Sequence, residues 1–370
     1  MYKVLIASFL YEIRSIKNSW YKFSLITFLP LVSFVLIISI FYQGVVRDMP
    51  ITVVDNDKSS ISAKLISNIQ SSSTIDIKKM SLSLRDAMAL VKRGEVYGVV
   101  VIPQHFYKDM LLQKQPKVTV MLNTQYILIG KILSAALTST VMQSSPEIEY
   151  VKGGDFISPI QMQITPFFNT YQNYFLFLVS ALLPAIWQIF IVVATLVSFG
   201  SMFKANEEKE FFKDGFIEVS IIGKLLPYTL SYLFLGIGYL LYMYQFLSWE
   251  LQGSFIITIF GMFLTVVAYQ GIALLFFVTG FDYARSLSLG AVYTAPAFAF
   301  LGVTFPIFNM NSFALFWRDM LPISHFVELQ ISQANYGLGF TLELQKLLIL
   351  FSFWIIFVPV FYMFKRRLQR

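Results

Sequence analysis

Apolar residues in this chain are gathered into long runs, broken once by a stretch in which short apolar and polar segments alternate. Residues 1–22 carry Tyr2, Leu5, Ile6, Phe9, Leu10, Ile13, Ile16 and Trp20 at helical spacing. Ser8, Glu12, Ser15 and Ser19 take the other face, and Lys3, Arg14 and Lys17 add positive charge. That pattern predicts an amphipathic helix lying in the headgroup region. Residues 23–42, FSLITFLPLVSFVLIISIFY, predict the first transmembrane helix, TM1. About 20 residues at 1.5 Å rise each cross a hydrocarbon core of roughly 30 Å. The run is long for a cleaved signal peptide and no small-x-small site follows it, so it reads as a retained anchor. Five further spans, TM2 to TM6, are expected at about 172–200, 221–247, 255–280, 286–308 and 345–364. Pro184, Pro227 and Pro296 lie in or at the ends of these runs, where neighbouring helices can satisfy freed backbone groups. Residues 309–344 are less apolar and predict a short loop plus a partial or tilted helix on the outer side.

Between the first two spans the periodicity changes. Strands are expected at 51–55, 74–78, 97–102 and 117–122, and helices at 59–71, 83–93, 103–113 and 127–143. Ser59 and Ser83 suit N-caps, Pro103 a first helical turn, and Gly94 a helix end. Strands alternating with helices predict a small α/β domain. Residues 144–165 read as an irregular return to the membrane. The expected fold class is therefore an α-helical polytopic membrane protein of about six transmembrane helices, with an extracytoplasmic α/β domain (43–170) inserted between helices 1 and 2. A five-helix membrane domain (171–370) follows, with a cytoplasmic loop at 201–219.

Composition supports this. Of 370 residues, 56% are hydrophobic and only 13% charged, more apolar surface than a water-soluble core could bury. The net charge of +7 does not indicate nucleic acid, because the basic residues sit at the edges of apolar runs. Lys3, Arg14, Lys17 and Lys22 precede the first span; Lys204, Lys209 and Lys213 lie in the 201–219 loop; Arg285 follows the fourth span; Lys365, Arg366, Arg367 and Arg370 close the chain. The opposite loops hold none at 248–254 and only Arg318 at 309–344. The positive-inside rule then places both termini in the cytoplasm and the inserted domain outside. There is no cysteine, and His105 and His325 are far apart, so a metal site is not expected. No residue is assigned a catalytic, cofactor-binding or metal-ligating role. Asp282 and Arg285 are candidates to pair at a span boundary, His325 reads as structural or interfacial, and Lys224 reads as a lysine snorkelling to the interface.

Four stretches together carry a family resemblance: VVDNDKSSISAKLISNI at 53–69, AMALVKRGEVYGVVVIPQHFYKDML at 87–111, IIGKLLPY at 221–228, and VTFPIFNM with LPISHFVELQ at 303–310 and 321–330. The chain resembles the permease subunit of a type-2 ABC exporter, in the branch with a large extracytoplasmic domain after the first helix. The positions carrying the resemblance include Gly223, Lys224, Pro227, Tyr228, Pro306 and Pro322. It departs from the family at 206–220, where NEEKEFFKDGFIEVS replaces a Glu-Arg-Glu cluster followed by Gly-Thr, and at Gln330, where an Arg is common. The resemblance implies a transport subunit of the bacterial inner membrane that works with a separate ABC ATPase, a second permease subunit (the same or different) and, in some systems, a periplasmic adaptor. ATP would be used by the partner, since the chain holds no G-x-x-x-x-G-K-[ST] phosphate cradle. The ATPase-coupling loop would use Glu207, Glu208, Glu210, Phe211, Phe212, Lys213 and Gly215, acidic groups setting orientation and aromatics filling a groove.

Few charges lie inside the spans, which favours an apolar or amphipathic substrate, a drug or lipid-like molecule, over a small ion. The competing reading is a membrane-anchored receptor or assembly factor whose outer domain binds a ligand. It fits less well, because five spans follow the domain and the cytoplasmic segments are too short for an output domain.

Overall fold

The structure, a computed structural model, describes residues 1–42, 47–112, 116–123, 127–150 and 174–369. They divide into two units, one of Met1–Gly44 with Phe167–Arg370 and one of Val45–Pro166.

The Val45–Pro166 unit is built on a four-stranded sheet in the order β2-β1-β3-β4. Strand β1 (Met49–Asp55) pairs in parallel with β2 (Ile75–Met80) and with β3 (Gly98–Ile102), and β3 pairs antiparallel with β4 (Thr119–Leu122). Parallel neighbours need crossovers, and the helices Ser60–Gln70 and Leu84–Lys92 supply them. Ile51, Val53, Val100 and Ile102 share a core with Leu65, Ile69, Leu133 and Leu137, while Val54 and Val99 meet Ala87 on the other face. The two inner strands are thus covered on both sides, which is why they read as unbroken apolar runs. Both expected N-caps are made: Ser59 Oγ accepts the Ser62 N–H at 3.1 Å and Ser83 Oγ that of Asp86 at 3.2 Å. Two expectations fail. The helix after β3 starts at Phe106, not Pro103, because His105 takes a left-handed φ of 65° and breaks the turn. The stretch expected to turn irregular at 144 stays helical to Tyr150, in Ile127–Tyr150, and the remainder to 165 lies outside the described residues.

The other unit is helical. In chain order its first helices are α1 (Tyr2–Asn18), α2 (Trp20–Ile26) and α3 (Phe28–Phe41); counting the four of the sheet unit as α4 to α7, there follow α8 (Tyr174–Lys204), α9 (Glu208–Phe211) and α10 (Ile217–Leu241). Then come α11 (Phe255–Val278), α12 (Tyr283–Thr294), α13 (Ala297–Phe300), α14 (Ser312–Asp319), α15 (Pro322–Asn335), α16 (Phe340–Ser352) and α17 (Phe357–Leu368). Among the described residues, four helical stretches are long and apolar enough to cross a bilayer: Phe175–Lys204, Ile217–Phe246, Phe255–Val278 and Phe340–Leu368. The α2–α3 pair, bent by 40°, makes up to five. The bend has a sequence cause, since Pro30 has no N–H for the Ile26 carbonyl and its ring crowds that turn. The run expected to span at 286–308 is not one helix: α12 ends at Thr294, Pro296 interrupts, and α13 is a single turn. Twelve residues reach only about 18 Å, short of the hydrocarbon core.

Pro184 stays inside α8 without a break. The carbonyl it leaves unbonded, that of Ser180, accepts the Gln330 side-chain N–H at 3.2 Å and the Tyr239 hydroxyl at 3.3 Å. Tyr232 likewise donates to the Leu25 carbonyl at 3.0 Å beside the α2–α3 bend. Helices in this unit are therefore held by side chains that complete a neighbour's backbone.

Residues 46–165, expressed alone, should give a mixed α/β circular-dichroism spectrum and one cooperative urea transition. Ser59→Ala should lower its unfolding free energy by about 1 kcal/mol, the usual cost of losing an N-cap.

Candidate functional site

The helix α1 crosses α10 at Gly223, where an added Cβ would lie 2.7 Å from the Leu5 carbonyl and 2.8 Å from Ser8 Cβ. Only glycine allows that approach. One turn further along α1, Glu12 is wholly buried, and its carboxylate gathers groups from three other helices. Lys224, fully buried on α10, donates to Oε2. On Oε1, the Tyr228 hydroxyl donates at 2.7 Å and Ser198 Oγ of α8 at 2.8 Å, with Lys22 Nζ of α2 at 3.7 Å. Lys22 also donates to Ser15 Oγ at 2.8 Å. The carboxylate's lone pairs are filled, as a buried charge requires. Burial pushes the Glu12 carboxyl up, and Lys224, Lys22 and the Tyr228 hydroxyl outweigh it, so the group sits below its usual range and stays ionised. Lys224 is the more deeply buried of the two lysines. Ring faces surround it: Lys224 Nζ lies 5.0 Å from the Tyr11 centroid, 5.2 Å from Phe211 and 5.5 Å from Phe199. Lys224 is thus not a lysine reaching for the interface; it is the buried partner of Glu12.

This cluster is joined to the loop at 201–219. The Tyr11 hydroxyl donates to Glu207, and the Tyr11 and Phe211 rings are 4.9 Å apart. Burial and the Glu207 carboxylate hold the Tyr11 phenol above its ordinary range, so it remains a donor. The loop carries the single-turn α9 and closes at Gly215, whose φ of 75° suits glycine. Phe212 is buried, 5.9 Å from Phe364 in an aromatic cluster with Phe199, Phe203, Phe277 and Phe281. Ion pairing of Glu218 with Lys365 ties the start of α10 to the end of α17.

The residues expected to couple to an ATPase therefore divide. Phe211 and Phe212 point into the chain's own packing. Glu207 is exposed but engaged by Tyr11, and Glu208 is half-buried. Glu210, Lys213 and Gly215 are exposed, together with Asp214 and with Phe216, which is 49% exposed. Of the positions carrying the resemblance, Lys224 and Tyr228 meet at Glu12, Gly223 lies one turn away against Leu5 and Ser8, and Pro227 lies inside α10 between Lys224 and Tyr228. Pro306 precedes the short turn Ile307–Asn309 and Pro322 opens α15; neither touches this cluster in the contacts described. Sequence reasoning missed Glu12, although the signal was there: it is the single acidic residue of the N-terminal helix, followed within ten positions by Lys22.

A second buried carboxylate lies at α15–α16. Glu343 accepts from Ser332, from the Gln333 side chain at 3.2 Å and from Lys346 at 2.9 Å. His325 is 6% exposed, and Nε2–H donates to the Asp319 carbonyl at 3.1 Å; burial pushes the ring's pKa down. Asp282 does not pair through the Arg285 side chain in the contacts described but caps α12, accepting the Arg285 backbone N–H at 2.6 Å. Among the described residues, no group of three metal-ligating side chains comes together.

Long apolar helices that fill one another's backbone valences define a polytopic membrane protein. The chain belongs to the ABC-2 family of transporters: residues 21–362 match the family described as ABC-2 family transporter protein. No curated protein matches the sequence.

Removing one partner of a buried ion pair leaves the other charge unmatched, which costs about 3–5 kcal/mol. Glu12→Ala should therefore sharply lower the melting temperature of the detergent-purified protein. The double exchange of Glu12→Lys with Lys224→Glu should recover part of that loss, read as a positive coupling in a double-mutant cycle.

Proposed function

We propose that this chain is the membrane subunit of an ABC exporter and that a separate ATPase docks on the loop at 201–219. The observation carrying the docking is the loop's construction. Its inner side is fixed by Phe212 in the aromatic cluster and by Tyr11 on Glu207, while Glu210, Asp214 and the ring of Phe216 face outward. A short, stiff, acidic projection with one exposed aromatic fits a basic-rimmed groove on a soluble partner: charge sets the approach and the ring supplies the buried contact. Because the projection is tied to α1, α8, α10 and α17, a push on it reaches the membrane helices rather than being lost in slack chain.

In this reading both termini and the loop lie in the cytoplasm, the Val45–Pro166 unit faces the periplasm, and two permease subunits, identical or not, pair over two ATPases. A periplasmic adaptor would take the substrate onward in systems that use one. Closure of the ATPases on ATP biases the helices between two arrangements. The substrate is an apolar or amphipathic molecule. Charges within the apolar helices are spent on one another, as in Lys224 with Glu12 and Lys346 with Glu343, which leaves no ladder of unpaired groups for an ion among the described residues.

The test is co-purification with the ATPase in mild detergent. Changing Glu207, Glu208 and Glu210 together to Lys should abolish it. Glu210→Lys with Phe216→Ala should weaken it roughly tenfold, about 1.4 kcal/mol, with the melting temperature unchanged. Undiminished recovery of the ATPase with the triple variant would refute docking at this loop.

A further inference from the structure

The bend at Thr27 opens a space. Before it, α2 packs against α8 and α10; after it, α3 leans on α8 and parts from α10. The result is a cleft of about 610 Å³ between α3 and α10, within the range of pockets that hold drug-sized ligands. Leu31, Val35 and Ile38 form one wall and Phe234 and Leu235 the other. The floor is the Phe34–Tyr239 pair, rings 6.2 Å apart. The Tyr239 hydroxyl is already committed to Ser180 and Gln330, so the floor is fixed.

Three features distinguish this cleft from a gap that bilayer lipid would fill without preference. Gly238 lies in it with nothing within 4 Å of where a Cβ would stand, so the space depends on the missing side chain and is not packed by the helix opposite. Apart from Tyr239 in the floor, the hydroxyl-bearing residues of its lining fall toward one end: Ser39 and Tyr42 at the end of α3, and Tyr242 where α10 passes into the π-helical turn Tyr242–Phe246. Neither the Tyr42 nor the Tyr242 hydroxyl has a hydrogen-bond partner among the described residues. No lining residue is charged. A π-turn widens the helix where it occurs and often marks a functional position.

We infer that the α3–α10 cleft is a binding site for an uncharged single-chain amphiphile, its alkyl body along Leu31, Val35 and Phe234 and its hydroxyl end at Tyr42 and Tyr242. A zwitterionic two-chain lipid fits poorly, because its headgroup would find no charged partner there. The site gives an apolar cargo a sideways route from the bilayer. In that respect it rests on the transport reading, but binding is measured on the permease alone and stands or falls apart from co-purification of the ATPase.

The experiment is photolabelling of the full chain in nanodiscs with a diazirine-bearing hexadecanol, and in parallel with a diazirine-bearing phosphatidylcholine. The alcohol should label residues 31–42 and 234–242 saturably, with excess unlabelled hexadecanol lowering the signal at least fivefold, while the phospholipid labels lipid-facing helices evenly. Gly238→Phe fills open space and should cut alcohol labelling there about tenfold, without changing the melting temperature or labelling on α16. Should that variant be less stable, Val35→Trp narrows the cleft from the other wall and must give the same loss. Non-saturable labelling, labelling indifferent to both variants, or equal saturable labelling by the phospholipid would overturn the inference. So would efficient disulfide formation between two copies carrying Leu31→Cys, which would make the cleft a subunit interface.

Discussion

A carboxylate removed from water must be neutralised where it stands, and in this protein that requirement fixes the arrangement of four helices around Glu12. The ion is supplied by α1, its counter-charges by α2 and α10, and its remaining hydrogen bonds by Ser198 and Tyr228. Such a cluster adds little to stability against an apolar replacement, because desolvation consumes most of what the charges return. Its value lies in specifying one arrangement: α1 can lie across α10 only where Gly223 makes room and only in the register that presents Glu12 to Lys224. A slip by one residue would strand a charge in hydrocarbon.

The same economy governs the uncharged parts. Each irregularity in an apolar helix frees a carbonyl that has no water to turn to. Gln330 and Tyr239 complete the carbonyl released by Pro184, Tyr232 completes Leu25, and the Gln188 side chain donates to Thr294 at the end of α12. The buried Gln330, Tyr239, Tyr232 and Gln188 side chains thus serve the backbones of neighbouring helices, which explains how polar residues recur along apolar helices.

The long spans were legible because hydropathy over about 20 residues is a strong signal, and the strands and caps of the α/β segment because Ser59, Ser83 and the two valine-rich runs carry local chemistry. Other features were hidden for physical reasons. Composition cannot separate a span from an equally apolar stretch that turns at Pro296, so 286–308 read as one helix. Lys224 sits at the border of a run, where snorkelling is the usual behaviour, and only the distant Glu12 reveals otherwise; a contact spanning 212 positions leaves no local trace. Phe211 and Phe212 look alike in sequence, yet one lies on Tyr11 and the other is buried beside Phe364, while the outward ring is Phe216.

The break at Pro30 also sets a scale of movement. The fourteen residues of α3 form a rod about 21 Å long. Pivoting this rod by ten degrees about Thr27 would carry its far end sideways by about 4 Å, roughly the width of a hydrocarbon chain, while α2 and the charges beneath it stay still. One imino acid therefore divides the first span into a lower part held by the Glu12 cluster and an upper part held against α8 and, through Phe34, against Tyr239.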